Sequence, residues 1–155
     1  MVSGYYSIYV NFEAEYDADV DALVNAVDQA LQFGQAPAPA AMTVTITTDE
    51  RVHELNLQYA GIDSTTDVLS FPAEGDPYAV EPGEPPYLGD VVIAYPIAEQ
   101  QAVTASHPVI AELQLLAIHG SLHLLGYDHD TPDRQAEMWA LQSAAMDATR
   151  TARSA

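Results

Sequence analysis

His119, His123 and His129 are three of the five histidines of this chain and fall within one short segment. An α-helix turns once in about 3.6 residues, so His119 and His123, four positions apart, project from one helix face. Gly126 can end that helix and allow the chain to reverse, which would bring His129 back towards the other two. Three neutral nitrogens suit zinc and leave its fourth position open for water, as in catalytic sites. The segment therefore predicts a catalytic metal centre, in which imidazole would also accept nickel.

The residue after His119 distinguishes this segment from the zinc peptidases. The three histidines and the glycine match the spacing of the peptidase signature His-Glu-x-x-His-x-x-Gly-x-x-His. Those enzymes use the glutamate as a general base, whereas Gly120 has no side chain that could accept a proton. This argues against peptide hydrolysis and leaves metal binding unaffected.

Asp128 is the candidate catalytic residue beside the predicted ligands. Its carboxylate could orient an imidazole or accept a proton, and it could equally be a turn residue before His129. The two remaining histidines are not predicted to be ligands. His53 falls in an amphipathic helix, and His107 precedes a proline at a helix start. No motif identifies a substrate-binding residue.

Alternating and periodic patterns predict the elements that would position the histidines. A length of 155 residues with 48% hydrophobic content predicts one domain, over 1–147, followed by a flexible tail over 148–155. Period-two alternation and compact apolar runs predict strands at 6–12, 42–48, 67–71 and 88–95. Helical periodicity and capping residues predict helices at 17–33, 49–60, 96–103, 108–125 and 132–149. The helix at 49–60 should carry Val52, Leu55 and Tyr59 inward. The candidate N-caps of three of these helices are Asp17 or Asp19, Thr48 or Asp49, and Thr131.

The helix predicted over 108–125 is apolar nearly all round, so it should run through the centre of the domain and carry His119 and His123 on a buried scaffold. The segment 72–87 holds five of the ten prolines and four acidic residues, which predicts irregular structure. It could be a mobile flap beside the site or a solvated surface connection.

The charge composition is strongly acidic. The chain has 23 acidic against 4 basic residues, a formal net charge of −19, and every basic residue is arginine. Proteins that bind nucleic acid through its phosphates usually show a basic patch, and none is evident here. The acidity predicts either a solvated surface or a docking surface for a basic partner.

The absence of cysteine excludes thiolate ligands and disulfide bonds and is typical of a reducing cytoplasm. Neither an export signal nor a membrane span is evident in the sequence. We therefore expect a cytoplasmic protein that does not use a membrane as a partner.

Four segments, in this order and over roughly residues 40 to 145, resemble the YbeY family of bacterial rRNA maturation factors. They are Leu55-Asn…Tyr59-Ala-Gly-Ile-Asp63, Thr66-Asp-Val-Leu-Ser-Phe-Pro72, Leu88-Gly-Asp-Val-Val-Ile93 and His119-Gly-Ser-Leu-His-Leu-Leu-Gly-Tyr-Asp-His129. The resemblance implies an α+β fold with a mixed four-stranded sheet and zinc on His119, His123 and His129. It also implies a zinc-dependent, single-strand-specific endoribonuclease that acts on ribosomal RNA or the small ribosomal subunit, in rRNA maturation and ribosome quality control.

One position departs from the resembled family. Between Tyr59 and Gly61 the family typically has an arginine facing the metal cleft, whereas this chain has Ala60. A guanidinium could hold a phosphate there, and a methyl group cannot. This departure and the acidity leave an alternative open: a noncatalytic, zinc-containing ribosome-assembly factor that docks through its acidic surface on a basic ribosomal protein.

Overall fold

The protein is described by a computed structural model that covers residues 5–75 and 84–154, with side chains up to residue 150. Residues 76–83, the middle of the segment predicted to be a flap or surface connection, lie outside the described residues. The elements are β1 (Tyr6–Phe12), α1 (Val20–Phe33), β2 (Ala40–Thr47), α2 (Asp49–Ala60), β3 (Val68–Pro72), β4 (Tyr87–Ala94), α3 (Tyr95–Ala105), α4 (Val109–Leu124) and α5 (Pro132–Ser154).

The strands form one four-stranded mixed sheet in the order β1-β2-β4-β3. β1 pairs with β2 and β2 pairs with β4 in parallel, while the edge strand β3 runs antiparallel to β4. Helices connect the parallel strands because a parallel crossover is too long for a tight turn. The predicted α+β domain with a mixed sheet and about five helices is confirmed.

Helix α4 lies at the centre of the domain, as its apolar sequence predicts. It packs on β3 and β4 on one side and contacts α1 and α5 on the other. Leu113, Ile118 and Leu122 of α4 are almost completely buried in the two hydrophobic clusters that this packing creates. The helix therefore gives the histidines on it a rigid support.

The predicted helix starts are largely confirmed by their capping bonds. Asp19, Thr48 and Thr131 each accept a hydrogen bond through a side-chain oxygen from the backbone N–H three residues later. Helix α5 is longer than predicted and continues past Thr149 to Ser154. The flexibility of 148–155 stays a prediction.

Tyr59 was expected to face inward from α2, and this expectation is wrong. Its side chain is 65% exposed and contacts the sheet through an edge-to-face arrangement with Phe71, at 5.3 Å between ring centroids. Phe71 lies on β3, one of the two edge strands, so no further strand of the sheet lies beyond it to cover the Tyr59 ring.

Candidate metal centre

The three predicted ligands lie together at the C-terminal end of α4. One nitrogen from each of His119, His123 and His129 lies within 4.8 Å of the other two. The ring centroids are 4.8 Å apart for His119 and His123, and 5.7 and 5.6 Å from these to His129. The first two rings are partly buried and the third is exposed. The predicted cluster thus forms with one side open to solvent.

The turn after α4 brings the third histidine back, as the glycine predicts. Gly126 has a φ of 98°, which a residue with a side chain rarely adopts. Its N–H donates to the carbonyl of His123, and the N–H of Tyr127 donates to Leu122. The Tyr127 hydroxyl then donates to the carbonyl of Gly34 at 3.1 Å, which anchors the turn on α1.

The environment of the two helical imidazoles favours metal binding. His119 Nδ1 lies 2.5 Å from Gln142 Oε1 on α5. An amide oxygen only accepts, so Nδ1 carries the hydrogen and Nε2 keeps its lone pair for a ligand bond. Burial, with His119 nearby, lowers the pKa of His123 and so favours the neutral imidazole that binds metals.

The donor set fits a zinc ion. Zinc bound to nitrogens at about 2.0–2.1 Å holds neighbouring nitrogens about 3.3 Å apart in a tetrahedron. The described cluster is wider than that by at most about 1.5 Å. His129 lies on an exposed turn and can supply this adjustment. These residues could hold one divalent ion and leave a coordination position open.

We expect Gln142→Leu to weaken zinc binding by about tenfold or more, because it removes the acceptor that fixes the His119 ring. Competition with a chelator of known affinity measures the change. Gln142→Glu, which keeps an acceptor, should bind zinc at least as tightly as the wild type. Gln135→Leu, an exposed position on the same helix, is the matched control. Equal zinc affinity for Gln142→Leu and the wild type would show that this bond does not orient the ligand.

Asp128 lies at the site in the position of a turn residue. Its Oδ1 accepts a hydrogen bond from the backbone N–H of His129 at 2.7 Å. This bond, with the neighbouring imidazoles and Arg134, lowers the pKa of the carboxyl group. A lowered pKa makes the carboxylate a weaker proton acceptor, while the bond itself helps to place His129. The proton-transfer role of Asp128 stays a prediction.

Gly120 faces the sheet and not the metal site. A Cβ on Gly120 would lie 2.6 Å from Cγ1 and 3.0 Å from Cγ2 of Val91 on β4. On the neighbouring strand β3, the Ser70 hydroxyl donates to the Gly120 carbonyl at 2.9 Å. The position that holds glutamate in the peptidase signature is here a close-packing contact between α4 and the sheet, so it offers no room for a catalytic base.

Sequence reasoning missed two residues of the site, Gln142 and Trp139. They lie three positions apart on α5 and so share one helix face. Trp139 places its ring centroid 5.5 Å from that of His129 and 5.9 Å from that of His119. Their helical spacing relates them to each other, but only the packing of α5 against α4 brings them to the histidines.

The two histidines that were not predicted to be ligands have carboxylate partners elsewhere. His53 Nε2 lies 2.7 Å from Asp63 Oδ1, and His107 Nε2 lies 2.6 Å from Glu112 Oε2. Within residues 5–75 and 84–154, His119, His123 and His129 are the histidine-containing group able to hold a metal ion.

No helix in the described part of the chain is long and apolar enough to cross a bilayer.

Comparisons with known proteins relate the whole domain to one family. The sequence profile of the family described as Endoribonuclease YbeY matches residues 8–150. Proteins named endoribonuclease YbeY from Salinispora tropica and Moorella thermoacetica are 39% and 41% identical to the chain. These alignments cover 96% and 86% of the chain and 99% and 90% of the relatives. The solution structure of TM1509 from Thermotoga maritima superposes with a TM-score of 0.60 at 25% identity, over 92% of this chain and 88% of that one.

Proposed function

The chain belongs to the YbeY endoribonuclease family, and we propose that it is a zinc-dependent endoribonuclease specific for single-stranded RNA. The proposed role is rRNA maturation and ribosome quality control in the cytoplasm, with ribosomal RNA or the small ribosomal subunit as substrate. The observation that carries the proposal is the open three-histidine cluster at the end of α4. It combines the ligands of a catalytic metal with an accessible side for an RNA strand.

In this proposal the three histidines bind the ion, and neighbouring residues orient the histidine side chains. When bound, a zinc ion supplies a Lewis acid for the phosphate and acidifies a water at its open position. Gln142 fixes the tautomer of His119, and the backbone bond to Asp128 holds the turn that carries His129. Nickel would suit the same nitrogens. Asp128 is also the proposed catalytic proton acceptor, although its lowered pKa favours the positioning role.

A substrate panel tests the proposal. Zinc-loaded protein should cleave a single-stranded oligoribonucleotide internally, should cleave the same sequence in a duplex far more slowly, and should leave single-stranded DNA intact if the 2′-hydroxyl is the nucleophile. Ester and amide substrates test another possible reaction of the same site, in which a zinc hydrolase acts on a substrate other than nucleic acid. Cleavage of esters or amides with no cleavage of RNA would contradict the proposal.

We expect Ala60→Arg to raise RNA cleavage by about tenfold or more, since a guanidinium stabilises phosphate charge that a methyl group leaves unpaired. Ala60 is exposed at the end of α2, next to Tyr59, which packs on the edge strand that contacts the metal-bearing helix. Initial cleavage rates measure the effect, and Ala60→Gln provides an uncharged side chain of intermediate length as the control. Equal rates for the arginine variant and the wild type would mean that position 60 does not face the reacting phosphate.

A second candidate function follows from the charge of −19. In this alternative the protein is a noncatalytic ribosome-assembly factor that contains zinc and docks on a basic ribosomal protein. An electrostatic interface weakens as salt screens it, so a basic partner should be retained at low salt and released at high salt. Failure to retain any basic ribosomal protein at low salt would contradict this alternative.

A further inference from the structure

Trp139, the single tryptophan of the chain, is exposed beside the metal ligands. Its side chain is 40% accessible, although large aromatic side chains are usually mostly buried. The indole is tilted by 42° against the His129 ring and by 54° against the His119 ring. The imidazoles therefore do not stack flat on the indole. An aromatic surface remains available to a ligand that reaches the metal site.

The arginines whose side chains the structure describes are already paired with acidic groups. Arg134, in the first turn of α5, donates to Asp130 at 3.0 Å and to the carbonyl of Gly126 at 3.2 Å. The other two arginines with described side chains pair with a glutamate and an aspartate three residues away. The chain has no lysine, so phosphate contacts can supply little of the affinity for an RNA strand.

Stacking of bases on aromatic rings is the other main source of affinity for single-stranded nucleic acids. It requires an exposed ring and no positive charge, and every base can take part. A base in a duplex is already stacked and paired, so a ring in this position would select single strands. A base stacked on Trp139 would also keep its own phosphate close to His119 and His129, because the indole contacts both rings.

We propose that Trp139 is a stacking platform for a nucleobase of single-stranded RNA adjacent to the phosphate that is cleaved. The inference rests on the proposed function, since it names how that substrate is held. It also predicts that affinity depends less on salt than is usual for a nucleic-acid-binding protein, because few counterions are released without phosphate contacts.

The fluorescence of Trp139 provides a direct test, as no other tryptophan contributes. Zinc-loaded protein is titrated with an oligouridylate carrying 2′-O-methyl groups, and separately with an abasic strand of the same length. We expect the base-bearing strand to quench the fluorescence and the abasic strand to bind at least about tenfold more weakly. Equal binding and equal fluorescence change for the two strands would overturn the inference.

Variants separate stacking from a structural role of the indole. Trp139→Ala should lower the affinity for the oligouridylate by about tenfold or more, with Trp139→Phe in between, while zinc affinity stays at the wild-type value. Tyr9→Ala removes an exposed ring from β1, at the opposite edge of the sheet from β3, and should change nothing. If Trp139→Ala weakens zinc binding in proportion to RNA binding, the indole shields the ligands and the inference is wrong.

The same experiments distinguish this inference from the proposed function. If Trp139→Ala binds and cleaves RNA as the wild type does, the stacking inference fails and the endoribonuclease proposal stands. If neither the wild type nor Trp139→Ala cleaves RNA, but base-bearing strands and not abasic strands quench the fluorescence of the wild type, the proposed reaction fails. Stacking of a base on Trp139 would still be supported.

Discussion

His123→Ala should remove zinc binding from the purified protein and abolish RNA cleavage while leaving the fold intact. The substitution leaves two of the three nitrogens of the cluster. Zinc affinity should fall by more than the roughly 10- to 100-fold that is typical when a residue hydrogen-bonded to a metal ligand is removed. Because His123 is only partly buried at the end of α4, the helix should remain packed. Zinc content by elemental analysis, cleavage rate and circular dichroism measure the three outcomes.

His53→Ala is the matched control for this prediction. This substitution likewise removes a histidine from a helix. His53, however, lies outside the metal cluster and is hydrogen-bonded to the carboxylate of Asp63. It should keep zinc and cleavage at wild-type values. If His123→Ala kept its zinc, or lost its zinc and still cleaved RNA, the metal assignment would be wrong.

Substitutions of Gly120 should reduce the free energy of unfolding, and glutamate should reduce it more than alanine. An added Cβ would overlap both γ-methyl groups of Val91, and such overpacking costs about 1 to 3 kcal/mol. Alanine regains about 1 kcal/mol of helix propensity over glycine, so the net loss of unfolding free energy for Gly120→Ala should be about 0 to 2 kcal/mol. Glutamate would also bury a carboxylate, so Gly120→Glu should lose more than about 4 kcal/mol and yield no peptidase.

Urea unfolding measures these losses, and Val91→Ala tests their cause. Removing the γ-methyl groups makes room for the added Cβ, so Gly120→Ala should cost less in the Val91→Ala background than alone. Equal costs in both backgrounds would show that contact with Val91 does not explain the glycine. A stable Gly120→Glu protein would overturn the packing account as a whole.

The clustering of the three histidines and the fold could be predicted from the sequence because their signals are local. The spacing of His119 and His123 follows from the helical period, and Gly126 marks the place where the chain reverses. Capping by Asp19 and Thr48 is likewise decided within four residues. Such patterns need no knowledge of what packs against them.

The residues of α5 that lie against the histidine cluster could not be found in this way. Gln142 and Trp139 reach His119 only because α5 folds back across α4, and nothing in their own neighbourhood indicates that contact. The need for glycine at position 120 likewise arises from close contact with Val91, which lies on a strand nearly thirty residues earlier in the chain. Tyr59 was misplaced because helical periodicity does not reveal where the sheet beneath the helix ends.

Stoichiometric zinc titration of the metal-free protein, with RNA cleavage measured at each point, tests the central claim most directly. We propose that His119, His123 and His129 together hold one zinc ion and that cleavage depends on this ion. Cleavage should rise in proportion to bound zinc and reach its plateau at one ion per chain, and His123→Ala should show no such rise. Full cleavage by the metal-free protein, or no cleavage at one bound zinc per chain, would contradict the claim.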